Sequence, residues 1–262
     1  MYKWDPKDYH DSSSEQQKWA RELLSNLKLK GKERVLDIGC GDGKITAELA
    51  GQLPDGSVLG IDNSPAMIDF ARKNYPSKNF PNLSFNVGDA SSLSFNNEFD
   101  VIVSFACLHW IIDHLPVLKG VKESLKPYGK FLFQFGGKGN IAAISDIAEK
   151  VVSSEKWDNF FKGMSNPWGF HGPEEYKRWL EYTGFRVKRL ALFPKDAAHK
   201  GKDGLAAYVR TTFGLPYIQR LPEEMRHEFV NEIVEKYIAV HPPDSEGFVH
   251  LQMMRLEVEA EK

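Results

Sequence analysis

Three aspartates near the start of the chain, Asp37, Asp62 and Asp89, stand where a nucleoside-like ligand with a positive charge would need them. Asp37 lies two residues before a glycine-rich loop, Gly39-Cys40-Gly41-Asp42-Gly43, which follows a short apolar run. A carboxylate at that point would repel a pyrophosphate, but it would accept hydrogen bonds from an ammonium group. The position therefore predicts a ligand that brings an amino-acid-like cation to the loop.

The other two aspartates suit the remaining parts of such a ligand. Asp62 ends the segment Leu59–Asp62, about 20 residues past the loop, where an acidic side chain binds both hydroxyls of a ribose. Asp89 follows Val87-Gly88, and its carboxylate would accept from an adenine amino group while the backbone N–H of Ala90 donates to the ring. Together the three positions predict an adenosine body with a cationic end.

The spacing of the glycines argues against a nicotinamide dinucleotide. Dinucleotide-binding loops follow the pattern G-x-G-x-x-G, whereas the third glycine of this loop, Gly43, comes one residue early. Cys40 has a side chain small enough to fit the loop, and we expect its backbone N–H to face the ligand. No spacing of Cys, His, Asp or Glu predicts a metal site.

These residues must be positioned by strands that alternate with helices. Apolar segments predict strands at 34–38, 57–61, 83–87, 99–105, 130–135, 185–193 and 248–258. Amphipathic segments predict helices at 12–29, 44–51, 65–74, 114–125, and over most of 140–182 and 203–239. Strands apolar on both faces and separated by helices predict an α/β fold with a doubly wound parallel sheet, which binds ligands beyond the carboxyl ends of its strands.

The length of 262 residues suits one sizeable domain. We expect residues 1–139 to form the ligand-binding core with an N-terminal helix. Residues 140–262 are expected to form helical cap insertions plus the final two strands of the same sheet, within a single domain overall. Six aromatic residues between Phe160 and Trp179 predict a helical core in the cap or, alternatively, a partly apolar substrate pocket.

The composition limits the kinds of binding partner and the cellular compartment that we expect for this chain. A net charge of -2 and a pI near 6.5 argue against a dedicated nucleic-acid binder, which shows a basic face. No apolar run approaches the roughly 20 residues of a membrane span, and the polar N-terminus has no signal-peptide core. The only two cysteines, Cys40 and Cys107, lie in separate segments. We expect a cytoplasmic monomer or homodimer without nucleic-acid or membrane partners.

The segments VLDIGCGDG, LGIDNSPAMI, VGDASSL and FDVIVSFACLHWI resemble the successive motifs of the class I S-adenosylmethionine-dependent methyltransferases, over residues 32–136. The resemblance implies a Rossmann-like, seven-stranded sheet whose last strand runs antiparallel between strands five and six. It also implies S-adenosylmethionine as the cofactor, bound by Tyr9, Asp37, Gly39, Cys40, Gly41, Asp62, Asn63, Met67, Asp89, Ala90, Ser91 and Ser104. For Tyr9, a helix that merely packs on the sheet is the alternative.

A narrower resemblance extends beyond that core. SFACLHWIIDHLPVL, GLAAYVRTTFGLPY and the closing MMRLEVEA are similar to the trans-aconitate methyltransferase group. SFACLHW is also similar to the juvenile hormone acid methyltransferases. Both groups esterify small carboxylic acids, so the resemblance implies a small-molecule acceptor of that class.

Three side chains are candidates for the chemistry. His109 and Trp110 follow the fourth predicted strand, where the resemblance implies that acceptor and methyl donor meet. His109 would act as a general base or as a hydrogen-bond donor, and Trp110 would line the methionine end; plain packing of both rings is the alternative. Arg210 would clamp a substrate carboxylate, or it forms a surface salt bridge.

The nature of the acceptor stays open at this point. A carboxylate is already ionised and needs no base, whereas a hydroxyl or carbon nucleophile would need one. N- or C-methylation of another small metabolite is therefore an alternative, as is a non-catalytic module that only binds S-adenosylmethionine. A nucleic-acid methyltransferase is disfavoured, because SFACLHW lacks the Asn/Asp-Pro-Pro-aromatic tetrad of enzymes that methylate base amino groups.

Overall fold

Seven β-strands form one sheet within residues 4–12 and 14–262, the part of the chain that the computed structural model describes. They are β1 (Arg34–Ile38), β2 (Ser57–Asp62), β3 (Leu83–Val87), β4 (Phe99–Phe105), β5 (Leu125–Gly136), β6 (Arg186–Lys200) and β7 (Phe248–Glu261). Their order across the sheet is β3-β2-β1-β4-β5-β7-β6.

The strand directions place the functional segments at one edge of the sheet. Strands β3, β2, β1, β4 and β5 pair in parallel, while β7 pairs with β5 in the antiparallel direction. The predicted Rossmann-like sheet, with its last strand antiparallel between the fifth and sixth, is therefore confirmed. Because β1 to β4 are parallel, the residues that follow their carboxyl ends lie along the same edge.

Eleven α-helices precede or lie between these strands in the described residues. They are α1 (Pro6–Ser12), α2 (Ser14–Leu24), α3 (Lys44–Gly51), α4 (Pro65–Asn74), α5 (Leu115–Ser124), α6 (Ala142–Val152), α7 (Asp158–Phe161), α8 (Pro173–Tyr182), α9 (Gly201–Tyr208), α10 (Leu215–Ile218) and α11 (Glu223–Val240). Short 3₁₀ turns occupy Ala90–Ser92 and Leu108–Trp110, and a π-helix occupies Val209–Phe213.

The N-terminal region differs from the single helix predicted at 12–29. Two helices, α1 and α2, are present instead. Beyond Leu24 the chain forms tight turns, in which the N–H of Leu27 donates to the Leu24 carbonyl at 2.9 Å. Leu27 is still buried in the core. The turn thus places Leu27 in the core together with the leucines of α2, although the helix has already ended.

The chain divides into two compact units. We call residues 4–138, 168–193 and 255–262 the sheet unit, and residues 139–167 and 194–254 the helical unit. The helical unit has its own aromatic core, in which the rings of Trp157 and Phe229 lie 5.1 Å apart. The indole N–H of Trp157 donates to Glu232 at 2.8 Å. The indole N–H of Trp157 therefore has the hydrogen-bond acceptor that a buried polar group requires.

The sheet unit is buried on both faces of its central strands. On one face Val35, Val101 and Leu132 pack with leucines of α2 and with α3 and α4. On the other face, alternate residues such as Leu36 and Ile102 pack with α5 and α8. A parallel sheet covered on both sides accounts for the nearly continuous apolar strands in the sequence.

Candidate active site

The glycine loop turns sharply at the end of β1. Gly39 has a φ of 72°, and a Cβ atom there would lie 2.1 Å from the sulfur of Cys107. Both the left-handed backbone and the contact require glycine at this position. At Gly39 the chain therefore presents backbone atoms, and no side chain, at the carboxyl end of β1.

Hydrogen bonds fasten this loop to the neighbouring strand. The N–H groups of Gly39 and Cys40 both donate to the Ile61 carbonyl, at 2.7 and 3.0 Å. The expectation that the N–H of Cys40 faces a ligand is therefore wrong, because β2 supplies its acceptor. Burial raises the pKa of the Cys40 and Cys107 thiols, so both remain protonated and neither is a nucleophile.

Asp37 is a buried carboxylate behind the loop. It is 2% exposed and accepts a hydrogen bond of 2.7 Å from the hydroxyl of Thr46 on α3. Burial raises its pKa from 3.8 to about 7, against the effect of the Thr46 bond and with a further contribution from the charge of Asp62. A carboxylate destabilised in this way is well suited to a cationic partner.

A cavity of about 430 Å³, measured out to its open mouth, lies in front of Asp37. On the α2 side, the carbonyl oxygen of the Gln16 side chain is buried and has no hydrogen-bond partner among the described residues. The cavity is lined by Tyr9, Gln16, Gln17, Ala20, Asp37, Gly39, Cys40, Gly41, Asp42, Ile45, Phe105 and Ala106.

Asp62 links the glycine loop to the end of β2. One of its carboxylate oxygens accepts from the N–H of Gly41 at 3.1 Å, and the other accepts from the N–H of Ser64 at 2.9 Å. Burial raises the pKa of Asp62, although both hydrogen bonds oppose the rise. Each oxygen has a second lone pair, so the carboxylate retains capacity to accept from a ligand.

The end of β3 presents one acceptor and one donor. Asp89 accepts from the N–H of Ser91 at 2.8 Å and caps the 3₁₀ turn Ala90–Ser92. Ala90 is buried, and its N–H meets no acceptor in the described part of the chain. A buried N–H without a partner is unusual unless a bound group satisfies it.

Three other predicted residues lie around these strand ends. Asn63 is exposed in the turn after β2, and Met67 is buried on α4. The N–H of Met67 donates to Ser64 at 3.4 Å. Ser104 is also buried, and its hydroxyl donates to the Ile38 carbonyl at 2.8 Å. Ser104 therefore ties β4 to β1 and does not line the cavity.

Helix α1 covers the glycine loop. The ring of Tyr9 lies 3.6 Å from the position that a Cβ atom of Gly41 would occupy. His10 shares a hydrogen bond of 2.8 Å with Asp42, and the ammonium group of Lys44 donates to the His10 carbonyl at 2.5 Å. Burial raises the pKa of Tyr9, so its hydroxyl keeps its proton. These contacts place Tyr9 over the loop.

Aromatic rings from three segments meet beside Tyr9. Trp4 contacts Tyr9 and Trp110, with ring centroids 5.7 and 5.2 Å apart. Trp168 stacks on Phe170 at 5.6 Å and lies 6.4 Å from Trp110. We call these five residues the aromatic wall. The predicted aromatic cluster of the cap is thus divided, since Trp168 belongs to the sheet unit and Phe160 to the helical unit.

His109 is buried next to this wall. The N–H of Gly136 on β5 donates to its Nδ1 at 3.4 Å, which assigns the ring proton to Nε2. Burial lowers the pKa of His109 well below 6.5, with further contributions from the charges of Arg255 and His114. The imidazole is therefore neutral, and its Nε2–H is a hydrogen-bond donor.

A second histidine, His114, holds the turn that carries His109 and Trp110. Its Nε2 donates to the carbonyls of Leu108 and Ile111, at 2.8 and 3.0 Å. Its Nδ1 accepts from the Tyr176 hydroxyl at 3.0 Å. Burial lowers the pKa of His114 to about 4. Sequence reasoning missed this role, because Tyr176 is far away along the chain.

Comparison with known proteins decides the family. Residues 29–184 match the model of a family described as "Methyltransferase domain", which is more than half of the chain. This chain belongs to that methyltransferase family. Its cofactor is accordingly S-adenosylmethionine.

Two curated relatives match this methyltransferase over nearly their whole length. An uncharacterized methyltransferase of Schizosaccharomyces pombe is 30% identical over 99% of this chain and 98% of its own. The trans-aconitate 2-methyltransferase of Methylobacterium nodulans is 28% identical over 98% of this chain and 97% of its own. The solved structure of the YcgJ protein from Bacillus subtilis has the same fold, with a TM-score of 0.65, 17% identity, and coverage of 94% and 98%.

The groups around the cavity and after the end of β3 fit S-adenosylmethionine in this methyltransferase. Asp37 and the unpartnered carbonyl oxygen of Gln16 are acceptors suited to its ammonium group. The unpartnered N–H of Ala90 is a donor suited to a ring nitrogen of adenine. All three are buried or partly buried polar groups that a ligand of this chemistry would satisfy.

Two arginines, Arg210 and Arg255, are not among the residues that line the cavity. Arg210 lies on the π-helix of the helical unit, is exposed, and has no ion pair among the described residues. The salt bridge considered as its alternative role is therefore absent from that part of the chain. Arg255, which the sequence did not single out, is buried on β7, and its guanidinium lies 4.7 Å from the Trp19 ring.

No helix in residues 4–12 and 14–262 has both the length and the apolar character needed to cross a membrane. The same residues contain no group of three or more His, Cys, Asp or Glu side chains that could hold a metal ion.

Proposed function

We propose that this methyltransferase transfers the methyl group of S-adenosylmethionine to a carboxylate oxygen of a small organic acid. The observation that carries the proposal is the state of His109, which is neutral and has Nδ1 occupied by the Gly136 N–H. A histidine in this state donates a hydrogen bond but is a poor general base. A carboxylate needs no base, whereas a hydroxyl or carbon acceptor does.

The names of the relatives support the same acceptor class. Several curated relatives of similar length are trans-aconitate 2-methyltransferases, and that name describes transfer to a carboxylic acid. We also propose a small-molecule acceptor, a cytoplasmic location and a monomeric or homodimeric state.

The proposal assigns the cofactor contacts residue by residue. Asp37 and Gln16 hold the ammonium group, Asp62 the ribose hydroxyls, and Asp89 the adenine amino group. The backbone of Gly39 and Gly41 permits close approach at the loop, and Tyr9 closes over it. The remaining predicted contacts are Cys40, Asn63, Met67, Ala90, Ser91 and Ser104, of which Cys40 and Ser104 act through the loop and sheet that they fasten.

S-adenosylmethionine, when bound, supplies a methyl carbon activated by its sulfonium leaving group. Asp37, Gln16 and Asp62 would hold the cofactor, which would supply its methyl group to an acceptor oxygen with the sulfonium sulfur as the leaving group. No proton moves, since the acid is already ionised. The aromatic wall excludes water and offers ring faces to a cation.

His109 is assigned to the acceptor. The Nε2–H of His109 orients the acceptor by a hydrogen bond and so raises the fraction of productive encounters. The guanidinium of Arg210 remains a candidate to bind an acceptor carboxylate. Trp110, in the aromatic wall, is assigned to the methionine end of the cofactor.

An acceptor screen with methyl-labelled S-adenosylmethionine tests the proposal. The panel contains crotonate, hexanoate, fumarate, succinate, adipate and trans-aconitate, together with small amines and alcohols of matched size. We expect labelled product from an acid, and the label should be released as methanol by mild alkali, as for an ester. Label transferred only to amines or alcohols, in an alkali-stable form, would overturn the proposal.

A further inference from the structure

Residues 168–171, which we call the 168–171 segment, lie against the turn that carries His109. The N–H of Gly169 donates to the His109 carbonyl at 2.9 Å. A Cβ atom on Gly169 would lie 2.1 Å from the carbonyl oxygen of Ile111, so only glycine permits this approach. The Phe170 ring stacks on the His109 imidazole, with the ring centroids 6.0 Å apart. The segment thus contacts both the backbone and the ring of His109.

His171 holds the end of this segment in place. Its side chain is only 14% exposed. The Nε2–H of its ring donates to the Ile112 carbonyl at 2.9 Å, and its Nδ1 shares a hydrogen bond of 2.9 Å with the carboxylate of Glu175 on α8. Its backbone carbonyl accepts from the N–H of Lys138 at 2.9 Å. Three hydrogen bonds therefore tie His171 to the turn, to α8 and to the residues that follow β5.

His171 and His114 hold the same turn through different carbonyl groups. His114 donates to the carbonyls of Leu108 and Ile111, whereas His171 donates to that of Ile112. The two imidazole rings contact each other edge to face, with centroids 4.6 Å apart. His171 therefore supports the end of the turn that His114 holds from within.

We propose that His171 is a positioning residue for methyl transfer, which acts through the 168–171 segment on the orientation of His109. This inference rests on the proposed function, in which the Nε2–H of His109 orients the acceptor. His171 itself is not among the residues that line the cavity. Because the Gly136 N–H holds one edge of the His109 ring and Phe170 covers a face of it, the direction of that Nε2–H depends on where the segment lies. A displaced segment would lower the fraction of productive encounters.

Two amide substitutions at His171 separate the bond to the turn from the rest of the side chain. His171→Gln keeps an N–H donor near the position of Nε2, so it can still donate to the Ile112 carbonyl. His171→Asn has a shorter side chain and loses that bond, but it keeps a polar group beside Glu175. We expect His171→Asn to lower kcat about fivefold and His171→Gln to stay within about twofold of the wild-type value. The Kd for S-adenosylhomocysteine should change by less than about twofold in both variants.

A double-mutant cycle with His109 identifies how the effect reaches the reaction. A positioning residue that acts through the His109 imidazole has nothing left to orient once that ring is removed. In a His109→Ala background, His171→Asn should therefore change kcat by less than about 1.5-fold. His227→Asn, at an exposed position of α11, is the matched control and should leave kcat unchanged in both backgrounds. An equal loss from His171→Asn in both backgrounds would indicate a merely structural role and would overturn the inference.

Amide hydrogen exchange tests the same contact without an acceptor. Because the Gly169 N–H donates to the His109 carbonyl, it should exchange at least about 100-fold more slowly than an unstructured amide in the wild-type protein. In His171→Asn its exchange should be about 10-fold faster, while the Tyr176 N–H, which donates to the Gly172 carbonyl at 3.0 Å, keeps its rate. Rapid exchange at Gly169 in the wild-type protein, or an unchanged rate in His171→Asn, would contradict the inference.

The outcomes keep the inference apart from the proposed function. The cycle uses the best acceptor of the screen, whatever its class, so an amine or alcohol acceptor overturns the proposed function while the cycle still decides on His171. If no compound of the screen is methylated, the proposed function fails and the exchange rates decide on His171. If His171→Asn does not fold, the wild-type exchange rate and His171→Gln decide: a loss of kcat of about fivefold or more in His171→Gln overturns the inference.

Discussion

Asp37 determines how strongly the glycine loop attracts a cation. Its carboxylate is buried against Thr46, and the charge of Asp62 is close enough to disfavour ionisation further. In the ligand-free protein the carboxylate therefore carries its charge at a cost. A bound ammonium group removes that cost, which links cofactor affinity, pH and stability at one residue.

Replacing Asp37 by asparagine should weaken the cofactor complex and stabilise the free protein. The folded pKa of about 7 exceeds the usual 3.8, so the ligand-free protein loses stability as pH rises through that interval. At pH 8 Asp37→Asn should gain about 2–4 kcal/mol in unfolding free energy and bind S-adenosylmethionine about 100-fold more weakly. Urea unfolding at pH 5 and pH 8, with calorimetric titration, measures both.

Asp69→Asn is the control for that experiment, because Asp69 is exposed on α4. It should change neither quantity. Unchanged cofactor affinity in Asp37→Asn would contradict the assignment of the ammonium contact, whatever its stability.

The role of His109 can be tested by truncation. Because its Nδ1 accepts from Gly136 and its pKa lies well below 6.5, we expect His109→Ala to lower kcat by less than about 10-fold. The control is His227→Ala, at an exposed position of α11. A loss of about 100-fold or more in kcat would indicate base catalysis and an acceptor other than a carboxylate.

At the scale of elements, the turn between β1 and α3 depends on a backbone that only glycine adopts without strain. Gly39 and Gly163 have the same φ of 72°, but a Cβ atom at Gly39 would collide with Cys107 while none would meet anything within 4 Å at Gly163. Substitutions at the two positions therefore distinguish the free-energy cost of the left-handed backbone from that of the collision with Cys107.

Alanine at the two glycines should give clearly different losses of stability. Gly163→Ala should cost about 1 kcal/mol, for the left-handed backbone alone. Gly39→Ala should cost about 3 kcal/mol or more, because overpacking of a buried contact adds to that strain. Chemical unfolding of both variants measures the difference. Equal losses would mean that the loop shifts freely and does not fix the cavity.

The elements that were predicted well are those whose signals are local. The strands up to β4 and the aspartates at their ends follow from short apolar runs and the residues next to them. The end of β6 was missed: it continues to Lys200, past Pro194, because an edge strand tolerates proline and polar residues that would interrupt a central one.

The roles that were missed depend on contacts between distant parts of the chain. His114 contacts Tyr176, and His171 donates to the Ile112 carbonyl. In the sequence, each is one polar residue beside an apolar segment. Their roles become visible only when the sheet and α8 bring the partners together.

At the scale of the whole molecule, cofactor binding and folding are coupled. S-adenosylmethionine and S-adenosylhomocysteine bind the folded chain, so each should raise the midpoint of thermal unfolding. At a ligand concentration of 100 times Kd the expected stabilisation is about 2.7 kcal/mol. NADH should give no shift, because Asp37 and the glycine spacing do not suit a pyrophosphate. An equal shift with NADH would contradict the cofactor assignment.

In the proposed reaction the methyl group goes to an oxygen that is already ionised, and counting protons distinguishes this acceptor from the others. Transfer to a carboxylate releases no proton, whereas transfer to a hydroxyl or to a protonated amine releases one for each methyl group. With the best acceptor of the screen, in weakly buffered solution at about pH 6, where the amino group of the cofactor stays protonated throughout, the proton yield per labelled methyl group should be zero. A yield of one would show that the acceptor is not a carboxylate.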